Sequence, residues 1–110
     1  MERIEKKNLK DGVVCGDSEF VDIIASGIGN YRLERIVSFG DVSPAGFWYN
    51  QDEEEFVAVL EGNATLEFFD GEKIEMLPLD YIVIPAHKKH RVLRTSKTPP
   101  CIWLAFFVER

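Results

Sequence analysis

Glu55 and His90 are the side chains whose types point most directly to chemistry in this sequence. Glu55 begins an apolar run, and strict alternation along a strand would place it on the same side as Val57 and Val59. If that side faces the interior, the buried carboxylate needs a partner, and His90 is the obvious one, either directly or through a metal ion. A direct hydrogen bond would make either a general acid/base pair or a structural contact.

A second group of candidates precedes Glu55 in the chain. Trp48, Tyr49 and Asn50 offer aromatic and amide groups, which suit a pocket for a neutral organic molecule. The competing interpretation is that the aromatic residues here fill one end of the core. Tyr49 is the better pocket candidate, because a buried phenol needs a polar partner and could offer one to a substrate.

His87 also has two interpretations. It either lies exposed beside Lys88 and Lys89, or it faces the mouth of the pocket with His90 and binds the same metal or substrate. We therefore keep His87 as a candidate pocket residue.

Other charged residues are assigned to solvated positions. The acidic run Asp52–Glu54 is most simply a solvated loop, since it lacks the alternating pattern of an oxygen-only calcium loop. Arg32 lies on a predicted strand, where it either clamps a carboxylate or, as we expect, pairs with Glu34 and the acidic run.

These side chains must be positioned by strands, because the apolar pattern has a short period nearly throughout the chain. The predicted strands are Val13–Cys15, Phe20–Ala25, Tyr31–Phe39, Glu55–Leu60, Ala64–Phe69, Lys73–Leu77, Tyr81–Ile84, His90–Thr95 and Cys101–Val108. Glycine-containing turns predict that the three segments from Glu55 to Leu77 form a meander. Roughly eight strands at regular spacing predict an all-β sandwich or barrel.

The last predicted strand, Cys101–Val108, is apolar on both faces. One face can fill the barrel, and the other must also be covered, because a long exposed apolar strand would be an aggregation edge. A second copy of the chain is the simplest cover, and we expect a homodimer.

Length and charge limit the remaining possibilities. The 110 residues fit one domain, 1–110, and the net charge of −6 makes nucleic acids and anionic membranes poor partners. The charged N-terminal arm, 1–12, has no apolar signal region, and no apolar run approaches the roughly 20 residues that a bilayer requires, so a cytoplasmic location is expected. Cys15 and Cys101 are expected to be reduced thiols.

Two stretches of the chain resemble the paired motifs of the cupin superfamily. The first motif reads H-x-H, three or four residues, E, six residues, G, and Glu55 and Gly62 match its end. The two histidine positions fall on Tyr49 and Gln51, or with the longer gap on Trp48 and Asn50, so both histidines are replaced.

The second motif, G-x5-P-x-G-x2-H-x3-N, falls on Leu79, Pro85, His87, His90 and Arg94. The proline and the histidine match, whereas the two glycines and the asparagine are replaced. The resemblance extends from Arg32 to about Phe107, and the chain is similar to small single-domain bacterial cupins of unassigned function.

The resemblance implies a double-stranded β-helix, or jelly-roll, barrel with its motifs within 31–108. It also implies that Glu55 and His90 ligate a metal, with Gln51 standing where a histidine is usual. Imidazole, carboxylate and amide groups make a set acceptable to a divalent transition metal such as Zn, Mn, Fe or Ni, although an amide oxygen is a weak ligand.

Three functions remain open. The barrel binds one divalent metal and a small molecule in its lumen, as a metal-dependent enzyme would. Alternatively, it is a non-catalytic barrel that binds or senses a small molecule without metal, a function that the missing histidines favour. In the third case its polar residues are purely structural.

Overall fold

The computed structural model describes residues 3–13 and 18–109, where the regular structure consists of eight strands. Their bounds are β1 (Phe20–Gly27), β2 (Tyr31–Ser38), β3 (Glu54–Glu61), β4 (Ala64–Phe68), β5 (Lys73–Met76), β6 (Tyr81–Ile84), β7 (His90–Thr95) and β8 (Cys101–Val108). The predicted all-β class is therefore confirmed. The predicted strand Val13–Cys15 runs into residues 14–17, which lie outside the described part of the chain.

The strands form two antiparallel sheets. One sheet has five strands in the order β1-β2-β8-β3-β6, and the other has three in the order β5-β4-β7. The main core lies between them and is built from alternate residues on their facing sides: Val57, Val59, Ala64, Leu66, Phe68, Met76, Ile84, Cys101, Trp103, Ala105 and Phe107. This arrangement is the expected jelly-roll sandwich.

The predicted meander from Glu55 to Leu77 is wrong in one pairing. β4 and β5 form the expected hairpin, but β3 belongs to the five-stranded sheet and β4 to the three-stranded one. Gly62 lies at the corner between them with φ 77°, and a Cβ there would come within 2.9 Å of the Cys101 Cα. The glycine thus marks a close passage from one sheet to the other rather than a hairpin.

β8 is the central strand of the five-stranded sheet. It pairs with β2 on one side and with β3 on the other, so both of its hydrogen-bonding edges are used. On the outer face, Ile102 is buried in a small second cluster with Val37 and Phe39, and Phe106 is partly exposed. The chain itself therefore covers one end of this outer face.

Arg35 fixes the N-terminal arm beside that outer face. Its guanidinium donates to both carboxylate oxygens of Asp22 and to the backbone carbonyls of Leu9 and Asp11. Arg35 is buried, and these four hydrogen bonds use most of its five guanidinium N–H donors.

The buried Cys101 is a free thiol, as expected, and burial raises its pKa to about 12. Such a thiol is chemically inert. Cys15 lies outside the described residues. No helix with the length and hydrophobicity needed to cross a bilayer occurs in the described ranges.

Candidate functional site

A cavity of about 210 Å³ lies between the two sheets. Its walls come from the inner faces of both sheets and from the segment that precedes β3. The lining residues are Glu19, Val21, Arg32, Glu34, Ile36, Ser38, Tyr49, Gln51, Glu55, Val57, Leu66, Ile84, His90, Val92, Trp103 and Phe107.

Glu55 and His90 meet in this cavity from opposite sheets. Glu55 is the second residue of β3 and His90 is the first of β7, and both are buried. The His90 Nε2 lies 3.5 Å from the Glu55 Oε1. The backbone carbonyl of Lys88 accepts a hydrogen bond from the His90 Nδ1 at 2.8 Å, so Nδ1 carries a proton and Nε2 is the nitrogen that faces the carboxylate.

The surroundings of His90 favour its charged form. Burial by itself lowers the pKa of the imidazole, but the Glu55 carboxylate and the Lys88 carbonyl outweigh this effect, and the pKa is raised above its ordinary value. The pair can therefore hold a proton on Nε2 beside the carboxylate.

Tyr49 packs against His90 in the same cavity. Its ring stacks on the His90 imidazole with the centroids 5.4 Å apart, and the two backbones exchange hydrogen bonds of 2.7 and 3.2 Å. Burial of the phenol and the negative charges of Glu19 and Glu55 raise the Tyr49 pKa. The Tyr49 side chain thus lies close to two carboxylates of the cavity.

Gln51 also lines the cavity, so the structure brings together Gln51, Glu55 and His90. The Gln51 backbone carbonyl accepts from the His87 N–H at 2.7 Å, which fixes this segment against the turn that precedes β7. No group of three His, Cys, Asp or Glu side chains within the described ranges is arranged to hold a metal ion. Glu55, His90 and Gln51 thus bring a carboxylate, an imidazole and an amide to the cavity.

Three other candidate residues do not line the cavity. Trp48 packs on Phe69 with ring centroids 5.1 Å apart. His87 is exposed at the rim, where its Nδ1 lies 3.0 Å from the Asn50 Oδ1 and its Nε2 lies 3.3 Å from a carboxylate oxygen of Asp52. Trp48, Asn50 and His87 therefore lie around the site rather than inside it.

The two positions where the motif glycines are replaced keep a glycine-like backbone. Leu79 has φ 74° and His87 has φ 64°, both in the left-handed region that L side chains rarely adopt. In His87 this conformation allows the turn from Pro85 to Lys88 to close, with a 3.2 Å backbone hydrogen bond between those residues. Both positions thus have a backbone conformation that glycine adopts without strain.

Sequence reasoning missed a hydrogen-bonded chain on the cavity wall. The Trp103 Nε1 donates to the Ser38 Oγ at 3.2 Å, and the Ser38 hydroxyl donates to the Glu19 Oε2 at 2.8 Å. Alternation along β2 and β8 could have placed Ser38 and Trp103 on inner faces. Glu19 precedes β1, and no local pattern marks it.

Arg32 is engaged as the sequence suggested. Its Nε donates to Glu34 at 2.8 Å and its Nη1 donates to Glu53 of the acidic run, while the guanidinium lies 4.0 Å over the Phe107 ring. The Arg32 charge is thus balanced within the cavity wall and its rim.

The comparisons with known proteins agree with this architecture. The family described as "Cupin domain" matches residues 38–107. Among curated proteins, none matches the chain significantly.

Solved structures extend the likeness to nearly the whole chain. A Ralstonia eutropha JMP134 protein, provisionally named a mannose-6-phosphate isomerase, is 34% identical with a TM-score of 0.90, and the alignment covers 97% of this chain and 100% of that one. A cupin superfamily protein from Desulfitobacterium hafniense is 18% identical with a TM-score of 0.72, covering 97% and 84%. The cupin domain of an XRE family transcriptional regulator from Enterobacter cloacae is 17% identical with a TM-score of 0.70, covering 86% and 99%.

The last two likenesses show the fold alone. The family match spans more than half of the chain, and it includes Glu55, Gly62, Pro85 and His90, the four residues that carry the motif resemblance. The protein belongs to the cupin domain family.

Proposed function

We propose that this barrel binds one divalent transition metal through Glu55, His90 and Gln51, and a small-molecule ligand in the same cavity. The observation that carries the proposal is the orientation of His90. Because the Lys88 carbonyl occupies Nδ1, Nε2 is directed at Glu55 inside the cavity. A backbone carbonyl on the second ring nitrogen is how metal-ligating histidines are commonly oriented.

The distance between the two ligand atoms also fits. Metal–nitrogen and metal–oxygen bonds of about 2.1 Å at tetrahedral angles place the two ligand atoms about 3.4 Å apart. The separation between the His90 Nε2 and the Glu55 Oε1 is 3.5 Å. This spacing accommodates an ion between them with little rearrangement.

The residues around the pair have separate roles in this proposal. A bound metal would supply Lewis acidity toward a ligand oxygen or nitrogen. Tyr49 stacks on His90 and keeps its ring in place, and the apolar walls at Ile36 and Val57 exclude water from the ligand. Without metal, the Glu55–His90 pair holds a proton on Nε2 that it can donate.

Metal analysis tests the proposal directly. Protein purified without chelator should contain one equivalent of a transition metal, and Glu55→Ala and His90→Ala should each lose it while keeping the β-sheet circular dichroism spectrum. His87→Ala is the matched control, because this second histidine lies exposed at the rim and should retain the metal. Gln51→Ala should weaken binding less than the other two, since an amide is the weakest ligand of the set.

The result that would overturn the metal site is equally definite. Wild-type protein that remains metal-free after incubation with Mn, Fe, Ni and Zn separately would discard it. Retention of metal by the His90→Ala variant would discard the assigned ligands.

A second candidate function is a metal-free barrel that binds or senses a small molecule. It is favoured by the absence, within the described ranges, of any three His, Cys, Asp or Glu side chains arranged around a metal. A thermal-shift screen separates the two candidates, because a ligand that binds the folded state raises its apparent stability. Stabilisation by organic compounds in the presence of chelator supports the second, and stabilisation by metals alone contradicts it.

The name of the Ralstonia relative suggests a phosphorylated sugar as a ligand of that protein. We do not carry this ligand over. Of the cavity-lining residues described, Arg32 is the one Lys or Arg, and it already pairs with Glu34 and Glu53. A phosphate would have to break these pairs.

We also propose that two copies of the chain associate through the outer face of the five-stranded sheet. Exposed apolar side chains on this face include Tyr31, Tyr81, Val83 and Phe106. Tyr31 contacts Phe106 within the chain with ring centroids 6.1 Å apart, which joins β2 to β8 in one apolar surface.

A further inference from the structure

Glu19, an exposed residue, brings a further carboxylate to the lining of the cavity, outside both cupin motifs. Its Oε2 accepts a 2.8 Å hydrogen bond from Ser38, and Ser38 is in turn fixed by the Trp103 indole at 3.2 Å. Ser38 and Trp103 are both buried, so the Glu19 carboxylate has a defined position. No hydrogen bond from a described residue reaches its Oε1, which leaves that oxygen for a ligand.

The charges that line the cavity are balanced except at Glu19. Arg32 pairs with Glu34, and His90 pairs with Glu55. No Lys, Arg or His nitrogen among the described residues lies within 4.0 Å of the Glu19 carboxylate. The one carboxylate without a cationic partner therefore faces the space where a ligand would lie.

We propose that the ligand of this cavity carries a protonated amine and that Glu19 binds its ammonium group; this inference rests on the proposed binding of a small molecule in the cavity. An ammonium donates to a carboxylate through a short, charge-assisted hydrogen bond. The same carboxylate repels an anionic ligand.

The cavity also limits the size of the ligand. An apolar cavity of about 150 Å³ accepts benzene. At about 210 Å³, this cavity accepts a ring with a short substituent, with the ring against Ile36 and Val57 and the substituent toward Glu19. Benzylamine, benzyl alcohol and benzoate are therefore matched probes, because they share a ring and differ in the charge of the substituent.

Binding can be followed by NMR through the indole N–H signal of Trp103. The protein contains two tryptophans, so the Trp48→Phe variant assigns their two indole N–H signals. The Trp103 N–H donates to Ser38, which donates to Glu19, so its signal should respond to a ligand at Glu19. Titration in the presence of chelator, which removes any metal that could itself bind the amine or the carboxylate, should give at least about threefold tighter binding of benzylamine than of benzyl alcohol, and the weakest binding for benzoate. Raising the pH above the amine's own pKa should abolish the preference for benzylamine, a test that needs no variant.

Glu19→Gln removes the charge but keeps an acceptor for Ser38. It should weaken benzylamine binding at least about threefold and change benzyl alcohol binding less than about twofold. Glu75→Gln, on the exposed edge of β5, is the control and should change neither.

Equal affinities for the three probes, or benzylamine binding that survives Glu19→Gln, would overturn the amine inference while the proposed cavity function stands. If no probe binds and metal analysis still finds the ion, the amine inference alone is overturned. If neither a probe nor a metal binds, both the amine inference and the proposed function are overturned.

Discussion

At the scale of residues, the two ring nitrogens of His90 have different partners. Nδ1 is held by the Lys88 carbonyl, and Nε2 faces the Glu55 carboxylate across 3.5 Å. Alternation along a strand predicted the side that Glu55 faces, and the resemblance to the cupin motifs named His90 as its partner. The fixed tautomer could not be predicted, because it depends on a backbone carbonyl in a turn whose shape is set by residues far away in sequence.

The raised pKa of His90 predicts how stability changes with pH in metal-free protein. A folded-state pKa above the unfolded value of about 6.5 means that the Glu55–His90 pair stabilises the fold fully below that value. The contribution is lost as the pH rises through the folded-state pKa. Urea unfolding in the presence of chelator should therefore show a stability difference between wild type and Glu55→Gln that is largest near pH 6 and shrinks toward alkaline pH.

His87→Gln is the control for this titration, since His87 lies exposed at the rim. Its pH profile should match that of wild type. A difference between wild type and Glu55→Gln that stays constant with pH would contradict the proton-linked pair.

The left-handed backbone of Leu79 gives a second residue-scale prediction. This side chain is 79% exposed, so its removal loses little packing, while the left-handed conformation costs an L residue roughly 1–2 kcal/mol. The greater freedom of glycine in the unfolded chain offsets about 0.4–1 kcal/mol of that gain. Leu79→Gly should raise the free energy of unfolding by about 0.5–1 kcal/mol in urea denaturation.

Leu79→Ala separates the backbone effect from the loss of the side chain. It keeps the strained conformation and should bring no gain. Equal stabilisation by alanine and glycine would mean that the exposed leucine, rather than its backbone, is the source of the effect.

At the scale of elements, the strands themselves followed from the sequence, but their assignment to sheets did not. The alternating apolar pattern located β3, β4 and β5 within a few residues. It could not show that the corner at Gly62 leads into another sheet, because that depends on the close passage of the backbone at Cys101. Glu19 escaped notice for the same reason, since its position is fixed by Ser38 and Trp103 from distant strands.

The contact between Arg35 and the N-terminal arm predicts a local change in protection. Arg35→Lys keeps the charge but loses the forked geometry that reaches Asp22, Leu9 and Asp11 together. We expect a loss of about 1.5–3 kcal/mol in unfolding free energy. Hydrogen exchange measured by mass spectrometry should become faster in residues 8–13 before it changes in β8.

Arg94→Lys is the matched control, because Arg94 is an exposed residue of β7. It should leave both stability and exchange unchanged. Unaltered exchange of the arm in Arg35→Lys would show that other contacts hold it.

At the scale of the whole molecule, the proposed dimer predicts the molecular mass in solution and a substitution that should halve it. Light scattering coupled to size exclusion should give twice the chain mass of 12.6 kDa for wild type. Val83→Glu adds a charge to the 52% exposed outer position of β6 and should give the monomer mass, because like charges would face each other across a two-fold interface.

Leu77→Glu introduces the same charge at an exposed apolar position after β5, in the loop that leaves the other sheet. It should leave the dimer intact. A wild type that runs as a monomer at every concentration, or a Leu77→Glu variant that also dissociates, would contradict the assigned face.

The hydrogen bonds from Arg35 to the N-terminal arm also determine which substitutions this protein tolerates. Two of its contacts are to backbone carbonyls, of Leu9 and Asp11, and every amino acid offers that same oxygen. Mutations in the arm therefore leave the attachment intact as long as the local path of the chain persists, whereas Arg35 has no substitute with the same fork of donors. In a library randomised at both places, surviving variants should be diverse in the arm and nearly uniform at Arg35.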